Sequence, residues 1–317
     1  MLGAGIIDSI TNARPAVSGG FRDTLVASQK VNWRIEDIIG GDKRLDFTKP
    51  FMPEALARVQ ELSFPSADEK RILNQIRGNA YLGIFGLVEE FILPFVLDHV
   101  RPTLDQDDFR VRAFLQFAGE EAKHIQLFKV FSDEFCEGFG SECRIIGPPA
   151  EVASAVLAHQ PLAVALAILH IEWMSQRHYI ESIKGDIEID LQFKSLLKNH
   201  WLEEAQHAKL DTAMVLTLAD GMDKEAIKTA VDEYLEIGGF LDQGAKQQTL
   251  FDLDSFELAT GRTLSEEERE EFIETQYQAN RWTYLGSGMT HPKFLETLER
   301  LDPEQRKRIE SVAPMFC

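Results

Sequence analysis

Cysteine is scarce. The 317 residues hold three, Cys136, Cys143 and Cys317, with neither an even disulfide framework nor a Cys-x-x-Cys metal spacing, so a reducing compartment fits best and the three read as buried or incidental thiols. Basic residues are also short, 33 against 52 acidic ones for a net charge of −19. That balance repels nucleic acid and anionic lipid and argues against either as a main partner. Long hydrophobic runs are missing too. The greasiest stretch, Pro161 to Ile171, is broken by His170 and falls well below the roughly 18 to 20 residues of a spanning helix. Met1 to Asp8 lacks a basic region ahead of an apolar core, so no secretory leader is evident. The expectation is a cytoplasmic chain without a membrane span. Strand signals are nearly absent, while a hydrophobic content of 44% over this length supports a sizeable core.

What is present is Glu-x-x-His, twice, at Glu121/His124 and Glu204/His207. Residues three apart share a helix face, so a carboxylate and an imidazole can reach one ion from a single rigid element. With 31 Glu and eight His in the chain, roughly 0.8 such pairs arise by chance, so one copy would carry little weight. The order of the residues carries more. Glu89, Glu121, Glu172 and Glu204 follow one another at gaps of 32, 51 and 32 residues, each enough for a long helix and its turn. Four glutamates inside apolar helices are costly to bury unless cations match them. Two divalent ions would.

The fold expected is all-α, a four-helix bundle around a dinuclear metal site. It forms a single helical domain with an irregular N-terminal extension over residues 1–65, the bundle over 66–220 and buttressing helices over 221–317. In the extension a short helix is expected near Pro53 to Leu62. Ser66 and Glu69 form a capping box opening the first bundle helix, which Pro102 stops after Val100. The second begins in the acidic turn Asp105-Gln106-Asp107-Asp108 and runs to about Glu137, ended by Gly138 and Gly140. The third covers about Glu151 to Ile183 with a break at Pro161, and the fourth about Ile187 to Leu218. Beyond Gly221 come a helix to about Ile237 with a Gly-containing continuation, a helix capped by Ser265 and Glu268, and two short helices, the last from Asp302-Pro303. The acidic run Glu266 to Glu271 reads as a solvated face.

His200 lies four residues before Glu204 and seven before His207, on the same stripe, and joins the candidate ligands Glu89, Glu121, His124, Glu172, Glu204 and His207. Glu90 sits about 100° around the helix from Glu89, so one of the two points at the metals and Glu89 is taken, with Glu90 left beside the site. Glu120 and Glu203 precede the ligand glutamates, where an acid either accepts the far N–H of an imidazole from another helix or stands as exposed surface charge. His170 and His178 earn no ligand role. Gly83 and Gly86, one to two turns before Glu89, either open a pocket or allow tight packing.

This set, Glu89, Glu121-x-x-His124, Glu172 and His200-x-x-x-Glu204-x-x-His207, resembles the ferritin-like di-iron proteins, and most closely the p-aminobenzoate N-oxygenase family. The resemblance spans about residues 70 to 220, and Glu89-Glu90-Phe91-Ile92 resembles that family's first-helix motif. The family has Asp before each Glu-x-x-His, where this chain has Glu120 and Glu203. The resemblance implies a ferritin-like bundle with two iron ions, His200 an added iron ligand, and an oxygenase that turns dioxygen into a bridged peroxo species. It also implies a small organic substrate, an aromatic amine above all, and an external electron donor; a homodimer is compatible. Ligand type alone also admits manganese or mixed metals. Iron storage is the main rival, but about 100 residues follow the fourth helix and three imidazoles suit retention of iron. A radical-generating reductase subunit would need a tyrosine where Phe128 stands. Fatty-acyl or other C–H hydroxylation or desaturation uses the same iron pair and stays open.

Overall fold

In the computed structural model the described residues are 15–106 and 108–317, with side chains described from Gly20 onward. The helices run in chain order as α1 (Pro15–Ser28), α2 (Ile35–Ile38), α3 (Glu54–Ala57), α4 (Ala67–Val100), α5 (Phe109–Phe139), α6 (Pro149–Leu157), α7 (Pro161–Arg177), α8 (Leu191–Leu218), α9 (Lys224–Thr260), α10 (Glu266–Arg281), α11 (Ser287–Met289), α12 (Pro292–Leu301) and α13 (Pro303–Val312). Among the described residues no β-strand forms, and Gly40 and Lys43 make an isolated bridge. The protein is all-helical.

The long helices start where local chemistry satisfies their first N–H groups. Ser66 Oγ accepts from the Glu69 N–H while Glu69 Oε2 accepts from the Ser66 N–H at 2.7 Å. Asp108 caps α5, accepting from Val111 at 2.8 Å, and Asp190 caps α8, accepting from Phe193 at 2.7 Å. Pro102 falls in the turn that ends α4. The expected acidic start of the second helix includes Asp107, which lies outside the described residues, as does the leader reading at Met1 to Asp8.

Several boundaries differ from the sequence expectation. The N-terminal extension is not irregular throughout: α1 packs on α5 and α8, burying Phe21, Leu25 and Ser28. Its Gly-Gly and β-branched content disfavours an isolated helix, and tertiary packing overrides that preference. The helix expected near Pro53 is split at Arg58, whose left-handed backbone (φ 48°) ends α3 before a 3₁₀ turn at Val59–Glu61. Gly138 does not end α5; it sits inside the helix against the ring of Phe47, and Gly140 (φ 83°) makes the left-handed cap. The fourth long helix begins at Leu191, later than Ile187, because Asp190 is the cap. Helix α9 runs unbroken through Gly238 and Gly239. Cys136 and Cys317 are exposed and Cys143 is half-buried, so the thiols are not all interior.

Helices α4, α5, α7 and α8 bring the acidic and histidine residues together: α4 lies along α5, α7 along α8, and α5 touches α8. Helix α9 backs α4 and α7, and α6 covers α4. One stretch, Ala67–Thr103, is long and apolar enough by length and composition to cross a membrane, with mean hydropathy 1.8 over its most apolar window. This corrects the expectation that no run reaches spanning length, since the Glu89–Glu90 pair interrupts the run without lowering its mean enough. Of that window, 61% is buried inside the protein, as in a core helix.

Beyond Arg177 the chain makes one π-helical turn, His178–Ile183. His178 is buried there between Tyr81 Oη, 3.0 Å from Nδ1, and Ser287 Oγ, 2.9 Å from Nε2. Ser287 Oγ donates to the Thr283 carbonyl, so it accepts from Nε2–H and the tyrosine donates to Nδ1. The ring is satisfied only when neutral. Burial, with Arg177 adding to it, pushes its pKa down to about 3. The unfolded side chain titrates near 6.5, so the folded state binds fewer protons below that pH and stability is lost as pH falls from about 6.5 towards 3. Between pH 7 and 5 this one residue is expected to remove about 2 kcal/mol. Urea unfolding of metal-free protein at the two pH values should show that extra loss in the wild type and not in His178→Gln; equal losses in both would refute it.

Candidate metal centre

Glu89 comes from α4, Glu121 and His124 from α5, Glu172 from α7, and His200, Glu204 and His207 from one stripe of α8; all seven are buried. Two groups of ligand atoms form, each with its atoms within 4.8 Å of one another: Glu89, His124, His200 and Glu204 in one, and Glu121, His124, Glu204 and His207 in the other. Either group could hold a metal ion. Glu204 and His124 belong to both. Glu204 divides its oxygens between them: Oε1 lies 2.8 Å from His200 Nε2 and 3.1 Å from His124 Nδ1, and Oε2 lies 2.9 Å from His207 Nδ1. Glu89 Oε1 is 3.0 Å from His200 Nε2, and Glu121 Oε1 is 2.9 Å from His207 Nδ1.

Two of these contacts, His200 Nε2 with Glu89 Oε1 and His207 Nδ1 with Glu204 Oε2, are hydrogen bonds, and they do not account for the rest of the donor set. Both oxygens of Glu121, Glu89 Oε2, Glu172 Oε2, Glu204 Oε1 and His124 Nδ1 are buried without a hydrogen-bond partner, although several lie within 3.1 Å of an opposite group. The ligand atoms of each group cluster within 4.8 Å of one another. Buried polar atoms left this way are costly, and a cation in each group would satisfy them. Glu172 belongs to neither four-residue group; its carboxyl, raised by burial, lies close enough to that of Glu204 to be raised further by its charge. It shares with Glu89, His200 and Glu204 the lining of a void of about 10 Å³, room for little more than one water or ion.

The outer faces of two imidazoles are held by acids from the opposite helix. His124 Nε2–H donates to Glu203 Oε2 at 2.7 Å and His207 Nε2–H donates to Glu120 Oε2 at 2.9 Å. So α8 orients a histidine of α5 and α5 orients a histidine of α8, each turning Nδ1 inward. Glu120 is itself held by Ser28 of α1 and by Gln116, and Glu203 by Lys123. Lys123 lies over the ring of Trp33, which stacks on His124 at 6.0 Å. Glu90, by contrast, is exposed, because its 100° offset turns it out of the interior, and it takes no part in the site. His170 is engaged by Tyr234 and the Tyr284 carbonyl, away from the cluster.

Sequence reasoning missed several residues around the site, Gln116 among them. Asp211 is fully buried with neither carboxylate oxygen hydrogen-bonded; it lies four residues past His207 on the ligand stripe, a spacing that was legible. Ser28, Trp33 and Lys123 carried no such signal. The charges balance without a metal only through protons. Seven carboxylates (Glu89, Glu120, Glu121, Glu172, Glu203, Glu204 and Asp211) face three imidazoles and Lys123. Burial raises Glu89 to about 8, with Glu121 adding repulsion, and pushes Glu172 and Asp211 well above the carboxylate range. Burial opposes protonation of the imidazoles, yet their acidic neighbours outweigh it, holding His200 up to about 9 and His124 and His207 well above 6.5. Glu204 is held well below its usual range by His200 and His207, against its burial.

Beside the cluster lies a second, larger cavity of about 290 Å³ between α4, α7, α9 and the Ile146–Val152 segment. Phe85, Val88 and Ile171 line both this chamber and the small void. Gly83 and Gly86 do not line it. A Cβ at Gly83 would stand 2.9 Å from Ile145, so tight packing is what this glycine permits, and Gly86 has ordinary contact with Phe128. Comparison of the chain with protein-family models, with curated proteins and with solved structures finds no match.

Proposed function

We propose that this chain is a non-haem di-iron oxygenase of the ferritin-like, four-helix-bundle kind, acting on a small organic substrate, with N-oxygenation of an arylamine as its reaction. The reading is carried by the two groups of buried donor atoms that share Glu204 and His124. Glu89, Glu121, His124, Glu172, His200, Glu204 and His207 would hold two irons, a mixed carboxylate and imidazole set that suits iron and also admits manganese. Bound iron supplies the reduction of dioxygen.

The remaining work belongs to the protein. Glu120 and Glu203 keep the two imidazoles turned inward. Phe85, Val88 and Ile171 keep bulk water from the carboxylates and put a substrate within reach of them. In the net reaction one oxygen atom enters the N–H bond of the amine to give a hydroxylamine, and the other leaves as water. Two electrons from an external donor and two protons balance it. A chamber for an organic molecule has no use in an iron store. Its apolar walls equally suit C–H hydroxylation, which is the second reading.

Metal analysis, anaerobic Fe(II) loading and mixing with oxygen and an aryl amine test this. About two irons per chain and amine-dependent oxygen uptake, with a hydroxylamino, nitroso or nitro product by mass spectrometry, are expected. Hydroxylated carbon products would favour the second reading. Many irons per chain deposited as ferric mineral would overturn both.

A further inference from the structure

Among the described residues no charged side chain lines the chamber, and the chemistry of its walls is graded along its length. Its inner end is Phe85, Val88 and Ile171, the three side chains it shares with the void beside Glu89 and Glu204. Its outer end is formed by one face of α9, where Phe240, Gln243 and Gln247 are exposed. Tyr284 is the one titratable group in the lining, and burial raises its phenol further, so it stays neutral. Arg77, the cation that acts on the Tyr284 phenol, is already committed to Asp252 and Asn280.

Carboxylated ring compounds need a partner for their charge. An anion moved into an apolar cavity without a cation or several donors is strongly disfavoured, and would bind in the wrong order relative to its neutral analogue. Size sets a second limit: about 290 Å³ is roughly twice the ~150 Å³ cavity that encloses one benzene ring. A fused bicycle or a substituted single ring fills it.

Resting on the oxygenase reading for its chemistry, we propose that the chamber is the substrate site and that it selects a neutral, apolar aryl compound of one to two rings, lacking a carboxylate. The molecule enters past Phe240, Gln243 and Gln247 and lies with its reacting end against Phe85, Val88 and Ile171. An aminobenzoate-type acid is therefore a poor occupant, and selection lies in what the walls omit.

The test uses a matched pair of fluorescent probes, 2-naphthylamine and 6-amino-2-naphthoate, which share a skeleton and differ by one carboxylate. Each is titrated into the full chain, metal-free and again after anaerobic Fe(II) loading. The neutral amine is expected to bind about tenfold or more tightly than the acid. Val152→Trp, at a partly exposed wall position, fills the chamber and should weaken the amine about tenfold. Gln243→Arg, at the exposed mouth, should selectively tighten the acid and narrow the gap. Equal or tighter binding of the acid by the wild type overturns the proposal, as does amine binding that neither variant alters. Iron stoichiometry on the same preparations separates the two readings. Amine binding in a chain that takes up no iron leaves the chamber standing and removes the oxygenase. Two irons without amine binding does the reverse.

Discussion

Glu204→Ala is expected to take the protein from about two metals per chain to none, whereas His200→Ala should leave about one. The difference follows from position. Glu204 gives Oε1 to the group containing Glu89 and His200 and Oε2 to the group containing His207, so its loss opens both at once. His200 belongs to one group only, and the ring backs onto Phe85 and Phe128 with no acid holding its far nitrogen. The metal-free Glu204→Ala protein should also be less stable, by on the order of 3 kcal/mol, because three buried imidazoles lose the carboxylate that faces them all. Glu204→Gln keeps the shape and one donor oxygen and controls for that loss of fold. Elemental analysis after Fe(II) loading decides: two metals retained by a folded Glu204→Ala would show that neither group is the binding site.

The acidic ladder was readable in the chain because helix geometry turns spacing into direction. Glu121 and His124, or His200, Glu204 and His207, must face one way once the helix is granted, and capping boxes at Ser66 and Ser265 mark where two of the helices begin. Even the partnership of Glu120 and Glu203 with imidazoles of the opposite helix follows from two antiparallel ladders in register. What was hidden depends on tertiary neighbours. Ser28 reaches Glu120 across 92 residues of sequence, and α1 has only a few apolar anchors to announce itself. The chamber was hidden for the same reason. It exists only where α9 and the Ile146 segment close over α4 and α7, and its inner wall residues do not differ in kind from ordinary core. Helix phase buries Glu89 and leaves Glu90 exposed, and Asp211 could have been found by extending the α8 stripe one more turn.

Arg77→Ala is expected to be the most destabilising change away from the metal centre, by about 3 to 5 kcal/mol. Arg77 is 2% exposed. Its guanidinium lies 3.4 Å from Asp252 and donates to Asn280, tying α4 to α9 and α10. Burial already lifts Asp252 to about 6 against the pull of Arg77; without the arginine the carboxyl would hold its proton to higher pH. A folded pKa raised above the unfolded value gives stability that is present at low pH and lost as pH rises through the folded value. The variant should therefore lose more stability at pH 8 than at pH 6. Arg77→Met with Asp252→Leu, which removes both charges, should recover most of it. The site is affected as well. Asp252 accepts from Gln248, which in turn accepts from the Ile146 N–H at 2.9 Å and donates to the Arg144 carbonyl at 3.0 Å. Bonded to a neutral in place of a charged Asp252, Gln248 would hold the Ile146 wall of the chamber less firmly, so 2-naphthylamine binding should weaken in Arg77→Ala while iron stoichiometry stays unchanged. Urea midpoints at the two pH values, read beside that titration, check both halves: a loss under about 1 kcal/mol, or one independent of pH, would mean that Arg77 and Asp252 do not act as a pair.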